Sequence, residues 1–388
     1  MNALTGRRVV HVTTTDMSLA LLLGPQLRAF ASAGMEVVGA SAPGPYVDDL
    51  TAAGIAHEPL RHATRSVDVG QDVLAVGELV RLFRRLRPDI VHTHNPKPGL
   101  YGRIAARVAG VPVVVNTVHG LYATEDDGRT RRFFVYGLER VVSVCSQAEL
   151  VQNEEDVDVL RRLRVPARKL VLLGNGVDLQ RFAPPGGAHE VARARASLGV
   201  GPTQVVVGIV GRLVWQKGLR ELFAAAARLH DSRPEIVIVV VGPTDPDKAD
   251  ALGPADITAA EALGNVVFLG GRQDVDDLYH GFDIFVLPSY REGFPRSAME
   301  AAASSVAVVA TDIRGCRQAV DHGVTGLLVP VHDAGALAAA IEHLADDAPL
   351  RAVMGRAGRA KAEAEFDDRQ VVETTLAVYE RLLARRQR

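Results

Sequence analysis

Short runs of valine and isoleucine recur along this chain, each followed by a longer stretch with helical spacing. That alternation is the strongest constraint on its fold. Residues 7–15 (RRVVHVTTT) read as a first strand, a helix follows over 19–33 and stops at Gly34, and MEVVGAS (35–41) is the next strand. Residues 74–86 form an amphipathic helix, DIVHTH (89–94) a strand, 100–109 a helix closed by Gly110, and VPVVVNTVH (111–119) another strand. Alternating βα units of this kind imply parallel sheets covered by helices on both faces.

The pattern pauses at Pro184-Pro185-Gly186-Gly187, a breaker cluster that reads as a linker. It resumes with TQVVVGIVG (203–211), a helix over 219–230 and the strand EIVIVVVG (235–242); NVVFLG, DIFVLP, VAVVAT and GLLVP supply four more strands. The expectation is therefore α/β with two doubly wound, Rossmann-like halves, residues 1–183 and 184–368. They would face each other across a cleft and close about a hinge near residues 184–187. A last helix over 369–385 is expected to pack back on the first half. Ligands of such sheets bind beyond the carboxyl ends of the strands.

Composition narrows the function. A formal charge of −2 disfavours a dedicated nucleic-acid binder. The only cysteines, Cys145 and Cys316, make no disulfide framework and suit a reducing compartment. The first residues carry no long apolar segment of the signal-peptide kind, and no apolar run has membrane-spanning length. A cytoplasmic protein is expected. No GxGxxG follows the first strand, which disfavours a dinucleotide dehydrogenase.

In the second half, Gly211-Arg212-Leu213 ends a buried strand and Lys217-Gly218 opens a helix. Two cations beside a helix N-terminus suit a diphosphate, although solvated surface charge would look the same. The segment Arg291-Glu292-Gly293-Phe294-Pro295-Arg296-Ser297-Ala298-Met299-Glu300 follows a strand. Pro295 suits the first turn of a helix, so the amides of Phe294 to Ser297 are expected to point into the cleft. Glu292 falls on the loop and Glu300 on the helix. Carboxylates suit hydroxyl-rich ligands, since each accepts several hydrogen bonds; a capping Glu and a surface Glu are the plain alternative.

Taken in order, GRL…KG, the two glutamates with seven residues between them, Gly174-Asn175-Gly176-Val177-Asp178 with Phe182, ATDIRGCRQAV (310–320) and GVTGLLVP (323–330) resemble the retaining glycosyltransferases of family 4, with the GT-B fold. The resemblance covers essentially the whole chain. It implies that Arg212 and Lys217 hold the diphosphate of a nucleotide-sugar donor, a UDP-sugar favoured over a GDP-sugar. It places Glu292 on the transferred sugar, Glu300 on the ribose, and Gly293, Phe294, Pro295, Arg296 and Ser297 as backbone donors. The base would sit near Gly242, Arg272 and Val275. Fixed cations and helix amides can stabilise the leaving diphosphate, so no metal ion or other cofactor is expected. The one Asp-x-Asp spelling, Asp156-Val157-Asp158, lies in a helix-like segment and reads as a solvated face.

The resemblance matches the family's catalytic-centre histidine to His119 in NTVHGLY (116–122), in contact with the donor sugar and positioning the reacting centre. Without it, a lone histidine at a strand end reads as structural. The implied mechanism is front-face attack, with the leaving phosphate taking the acceptor's proton. His92 and His94 in HTHNPKPG (92–99) are read as pointing to opposite faces of their strand, which disfavours a metal pair. Lys97 could reach an anionic acceptor. This form looks like family members that work on lipid-linked saccharides in surface glycan assembly. Residues 13–19 replace the glycine-glycine loop of many members, so Asp16 and Ser18 are candidates for the acceptor side.

The first 183 residues carry 22 Lys and Arg against 19 Asp and Glu, and the remainder 22 against 27. Arg81, Arg84, Arg85 and Arg87 lie off the apolar stripe of Leu79, Leu82, Phe83 and Leu86. A basic first half would suit peripheral contact with the inner face of the cell membrane, and an ordinary solvated helix reads the same way. Other functions consistent with the sequence are the same chemistry on a soluble small-molecule acceptor, a sugar-nucleotide epimerase, and a non-catalytic sugar-nucleotide sensor.

Overall fold

A computed structural model describes residues 3–64, 68–94, 96–123, 127–246 and 248–386. The chain forms two compact units. One comprises Met1–Gly174 and Asp368–Arg388, the other Asn175–Asp367.

The first unit is built on seven strands: β1 Arg8–Thr15, β2 Glu36–Ala42, β3 Ala56–Pro59, β4 Ile90–His94, β5 Val113–Val118, β6 Ala148–Val151 and β7 Leu170–Leu172. Their order is β3-β2-β1-β4-β5-β6-β7, every pair parallel. The order reverses between β1 and β4, the place where open sheets of this kind gather ligand residues. The helix Val69–Leu86 starts at Asp68, whose side chain caps the Gln71 amide, and ends at Arg87 in the left-handed region. Leu79, Leu82 and Phe83 are buried while Arg81, Arg84 and Arg85 face solvent, Arg85 on Glu58 at 2.6 Å. Charge therefore covers an ordinary core-facing helix. The last helix, Asp368–Ala384, belongs to this unit: Val371, Val378, Tyr379 and Leu382 pack with Leu27 and Phe30.

The second unit has six strands: β8 Val205–Val210, β9 Ile236–Val241, β10 Val266–Gly270, β11 Ile284–Leu287, β12 Ala307–Thr311 and β13 Gly326–Val329. Their order is β10-β9-β8-β11-β12-β13, again all parallel. β9 is buried at every residue, and one apolar cluster lies on each side of the sheet, around Phe285 and Tyr279 on one and Leu222 and Ile341 on the other.

The sequence puts the passage between halves at residues 183–184, whereas the chain crosses between units at Gly174–Asn175 and again at Asp367–Asp368. The Val177 amide bonds the Phe366 carbonyl at 2.8 Å, and Phe182 packs in the second unit's core. Those contacts draw residues 175–183 into the second unit. Pro184–Gly187 is a surface segment within the second unit, leading into the helix Ala188–Leu198.

Candidate functional site

Two clusters of polar side chains stand at strand ends, one in each unit. In the second unit, β8 ends at Val210 and the chain turns through Arg212 into a short helical turn, Trp215–Lys217. Gly218 then opens the helix Leu219–His230 with φ +73°. A Cβ there would stand 1.9 Å from the Pro288 carbonyl oxygen, so only glycine lets the two turns meet. This contact sets the Lys217 turn against the loop after β11. Lys217 Nζ lies 2.6 Å from Glu292 Oε1, both side chains being largely buried. Arg212 pairs with Asp245 at 2.7 Å. Each cation thus has a carboxylate partner that an incoming anion would have to replace.

Glu292 is held from behind. Gly315 lies in the helix Arg314–Ala319, and a Cβ on it would come within 2.5 Å of the Gly293 carbonyl oxygen and 2.8 Å of that of Glu292. The Asn175 side-chain amide donates to the Phe294 carbonyl at 3.0 Å. Burial raises the Cys316 thiol's pKa, the Glu292 charge adding to it and the Lys217 charge opposing it; this thiol stays protonated beside the pair.

The helix Arg296–Ala303 begins after Pro295. Pro295 has no amide hydrogen, so the expected row of backbone donors from Gly293 to Ser297 is interrupted there. The Phe294 side chain faces the core, edge-on to Phe366 at 5.5 Å. Glu300 accepts from the buried Tyr279 hydroxyl at 3.1 Å, and the same hydroxyl reaches the Ser297 carbonyl at 3.0 Å. Burial raises the Glu300 pKa, opposed by Arg296 and the Tyr279 bond. The Gly242 amide donates to the Gly270 carbonyl at 2.8 Å. Arg272 is bound to Asp274 and, at 2.9 Å, to Ser197, while Val275 starts a short helix against the core.

In the first unit, His119 follows β5. Its Nε2 lies 3.1 Å from His94 Nδ1, and Gln152 also hydrogen-bonds the ring. Burial lowers its pKa to about 4. His92 and His94 share one face of β4, with ring centroids 4.2 Å apart, because residues two apart on a strand point the same way; the opposite-face reading is corrected. His11 on β1 stands opposite His92 in register and adds a third ring to that face. Ring nitrogens of His11, His92 and His94 lie within 4.8 Å of one another, close enough in principle for a metal ion. The rings are stacked, however, and both His92 nitrogens are engaged, by Tyr379 at 2.5 Å and Thr117 at 2.7 Å.

Asp16 is buried and accepts from the Met17 and Tyr46 amides, both at 2.8 Å, so its carboxylate braces the turn after β1. Ser18 Oγ lies 3.2 Å from Thr15 Oγ1. Lys97 pairs with Asp72 at 2.7 Å and reaches Thr64 at 3.1 Å; Asn95 lies outside the described residues. Asp156 is fully buried, contrary to the solvated reading of its helix. It accepts from the Leu121 amide and from Asn153, and so braces the loop just after His119. Asp158 alone of that spelling faces water.

Comparison with known proteins gives the family. Residues 26–181 match the model of Glycosyltransferase Family 4 and residues 190–361 that of Glycosyl transferases group 1. An Escherichia coli protein, UDP-Gal:alpha-D-GlcNAc-diphosphoundecaprenol alpha-1,3-galactosyltransferase, is 32% identical over 291 residues, 74% of each chain. The chain belongs to glycosyltransferase family 4. The Staphylococcus aureus capsular polysaccharide biosynthesis glycosyltransferase CapM is 26% identical over 97% of this chain and 98% of its own. The crystal structure of Anabaena HepE in complex with UDP superposes with a TM-score of 0.79 at 21% identity, covering 96% of this chain and 99% of that one. The fold is GT-B.

Within this family member, the structure brings Lys217 to Glu292 and Arg296 within 3.9 Å of Glu300. It adds partners that the sequence does not single out: Asp245 for Arg212, Tyr279 for Glu300, and His94 for His119. Gly315 and Asn175 lie inside the motifs that carry the resemblance, and their contacts with the Glu292 loop give those positions a physical reason.

Proposed function

We propose that this glycosyltransferase moves a sugar, with retention of configuration, from a UDP-sugar to a saccharide carried on a polyprenyl diphosphate. The observation that carries the reading is the pair of Lys217, from the loop after β8, and Glu292, from the loop after β11, with Arg212 on the same loop as Lys217. A donor diphosphate offers both cations stronger, doubly charged partners than their present carboxylates. Lys217 and Arg212 would then stabilise the charge that develops on the leaving diphosphate, the part of the reaction where fixed charges act most. Released from Lys217, Glu292 can accept hydrogen bonds from sugar hydroxyls, and Glu300 from the ribose. His119, neutral at physiological pH, would hold the sugar by hydrogen bonding and not by carrying charge. In this reading the leaving phosphate takes the acceptor's proton, and no metal ion is needed. The undecaprenol-linked substrate named for the E. coli relative and the UDP bound by HepE support the choice of acceptor and donor.

A membrane-borne acceptor also gives meaning to the helix Arg129–Val142. Phe133 is 83% exposed and Phe134 71%, with Val141 and Val144 bare beside them and Arg129, Arg131 and Arg140 around them. An apolar strip framed by arginine suits the surface of an anionic bilayer. No helix among the described residues is long and apolar enough to cross a membrane.

The test is product mass spectrometry from pooled UDP- and GDP-sugars with a membrane extract, run beside Glu292→Ala. A lipid-extractable glycosylated product that disappears in the variant is expected. A product that never partitions with lipid would favour a soluble acceptor, and equal activity in the variant would remove Glu292 from the site.

A further inference from the structure

Three histidines in the first unit form an unbroken line of ring-to-ring hydrogen bonds. His119 Nε2 lies 3.1 Å from His94 Nδ1, and His94 Nε2 lies 3.0 Å from His11 Nδ1. His11 Nε2 ends the line, buried and with no hydrogen-bond partner among the described residues. The line exists because three adjacent parallel strands, β1, β4 and β5, set these residues along one face in a stagger: His11 is opposite His92, two before His94, and His94 is opposite Thr117, two before His119 just past β5. His94 and His11 are each 1% exposed. Their stacking on His92 and Phe30 fixes the planes of the rings. His92 is itself pinned at both nitrogens, so it props the line without joining it.

Burial keeps all of these imidazoles uncharged near neutral pH. A neutral imidazole has one donating and one accepting nitrogen. Along such a line every ring must therefore donate in the same direction, and only two proton arrangements are possible. Either His119 Nε2 donates toward His94, or it accepts from His94 and keeps its proton on Nδ1. His119 cannot change tautomer alone; His94 and His11 must change with it, whereas the Gln152 amide that also bonds the ring carries both a donor and an acceptor and can turn to suit either form.

We propose that His94, backed by His11, is a positioning residue that fixes the ring plane and the tautomer of His119. This rests on the reading that places His119 at the donor sugar. The partner at one ring nitrogen decides what the other nitrogen presents to a sugar hydroxyl, a donor or an acceptor. The wrong choice leaves the ring in place but unable to hold its ligand.

The two amides of similar shape separate the halves of the line. Asparagine can set a polar atom near the position of His94 Nδ1 and so keep a partner for His119. Glutamine reaches instead toward the position of Nε2 and so keeps a partner for His11. His94→Gln is expected to lower kcat by roughly 10–100-fold, as loss of a partner that orients a working histidine does elsewhere. His94→Asn is expected to recover most of that turnover. Long-range proton–nitrogen spectra of protein labelled at histidine supply a readout that bulk packing does not move. His119 should show a single tautomer in the wild type and a mixture in His94→Gln. An equal loss of kcat in the two amide variants, or an unchanged His119 tautomer in His94→Gln, overturns the proposal. A tautomer that changes while kcat does not would instead remove His119 from the reaction, and the donor-site reading of the second unit would survive.

Discussion

His11→Phe should change how the first unit responds to acid. Burial lowers the His11 pKa from 6.5 to about 3. The folded value is depressed, so between these two values the unfolded chain binds a proton that the folded chain does not. Stability is then fully present above pH 6.5 and falls as the pH drops toward 3. The loss is about 1.4 kcal/mol per pH unit for one histidine, or roughly 2 kcal/mol between pH 6.5 and 5. His92, His94 and His119 are lowered in the same direction, so their losses add to it. Phenylalanine fits beside Phe30, whose ring stacks on His11 at 5.6 Å. It leaves His94 Nε2 without its partner, at a cost of about 1–3 kcal/mol at every pH. The variant is thus weaker at pH 8, yet loses less on acidification. The only tryptophan, Trp215, belongs to the second unit, so whole-chain fluorescence would miss the effect. Hydrogen exchange of peptides from β1, β4 and β5 across a urea series, at pH 8 and pH 5, reads it directly. A gap between variant and wild type that is as large at pH 5 as at pH 8 would refute the reasoning.

Two further outcomes are expected. Gly315→Ala places a methyl group against the Glu292 and Gly293 carbonyls and should displace that loop, lowering donor turnover at least tenfold with a stability loss of roughly 1–3 kcal/mol. Steady-state kinetics and thermal unfolding check both parts, and normal kinetics would show that the loop has room to give. Replacing Phe133 and Phe134 together with Asp should abolish sedimentation with vesicles rich in anionic lipid while leaving the fold intact by circular dichroism; binding equal to wild type would clear that helix of membrane contact.

Much of the fold is legible in the sequence because strands such as β9 and β11 are unbroken apolar runs and helices such as Val69–Leu86 and Ala188–Leu198 stop at a residue in the left-handed region. The short strands are not. β3 reads AHEP and β7 is three residues long, so neighbours and not their own pattern make them strands. The candidate donor residues are legible as motifs, since Arg212, Lys217 and Glu292 sit where a strand hands over to a helix and Glu300 lies on the helix that follows. Their partners are not, because Asp245 and Tyr279 arrive from other crossovers of the sheet. The line of imidazoles depends on register between three strands, which no single strand encodes. The exposed strip of Phe133, Phe134 and Val141 is not legible in the sequence at all; only the packed structure shows that nothing among the described residues covers it.

The central claim is that the loop after β8 and the helix after β11 hold a nucleoside diphosphate through Lys217. Calorimetric titration of UDP and GDP into wild type and Lys217→Ala tests it most directly. Loss of a charge-assisted contact of about 1.5–3 kcal/mol predicts roughly 10–100-fold weaker binding of whichever nucleotide the wild type prefers. Equal affinity in the two proteins would contradict the account.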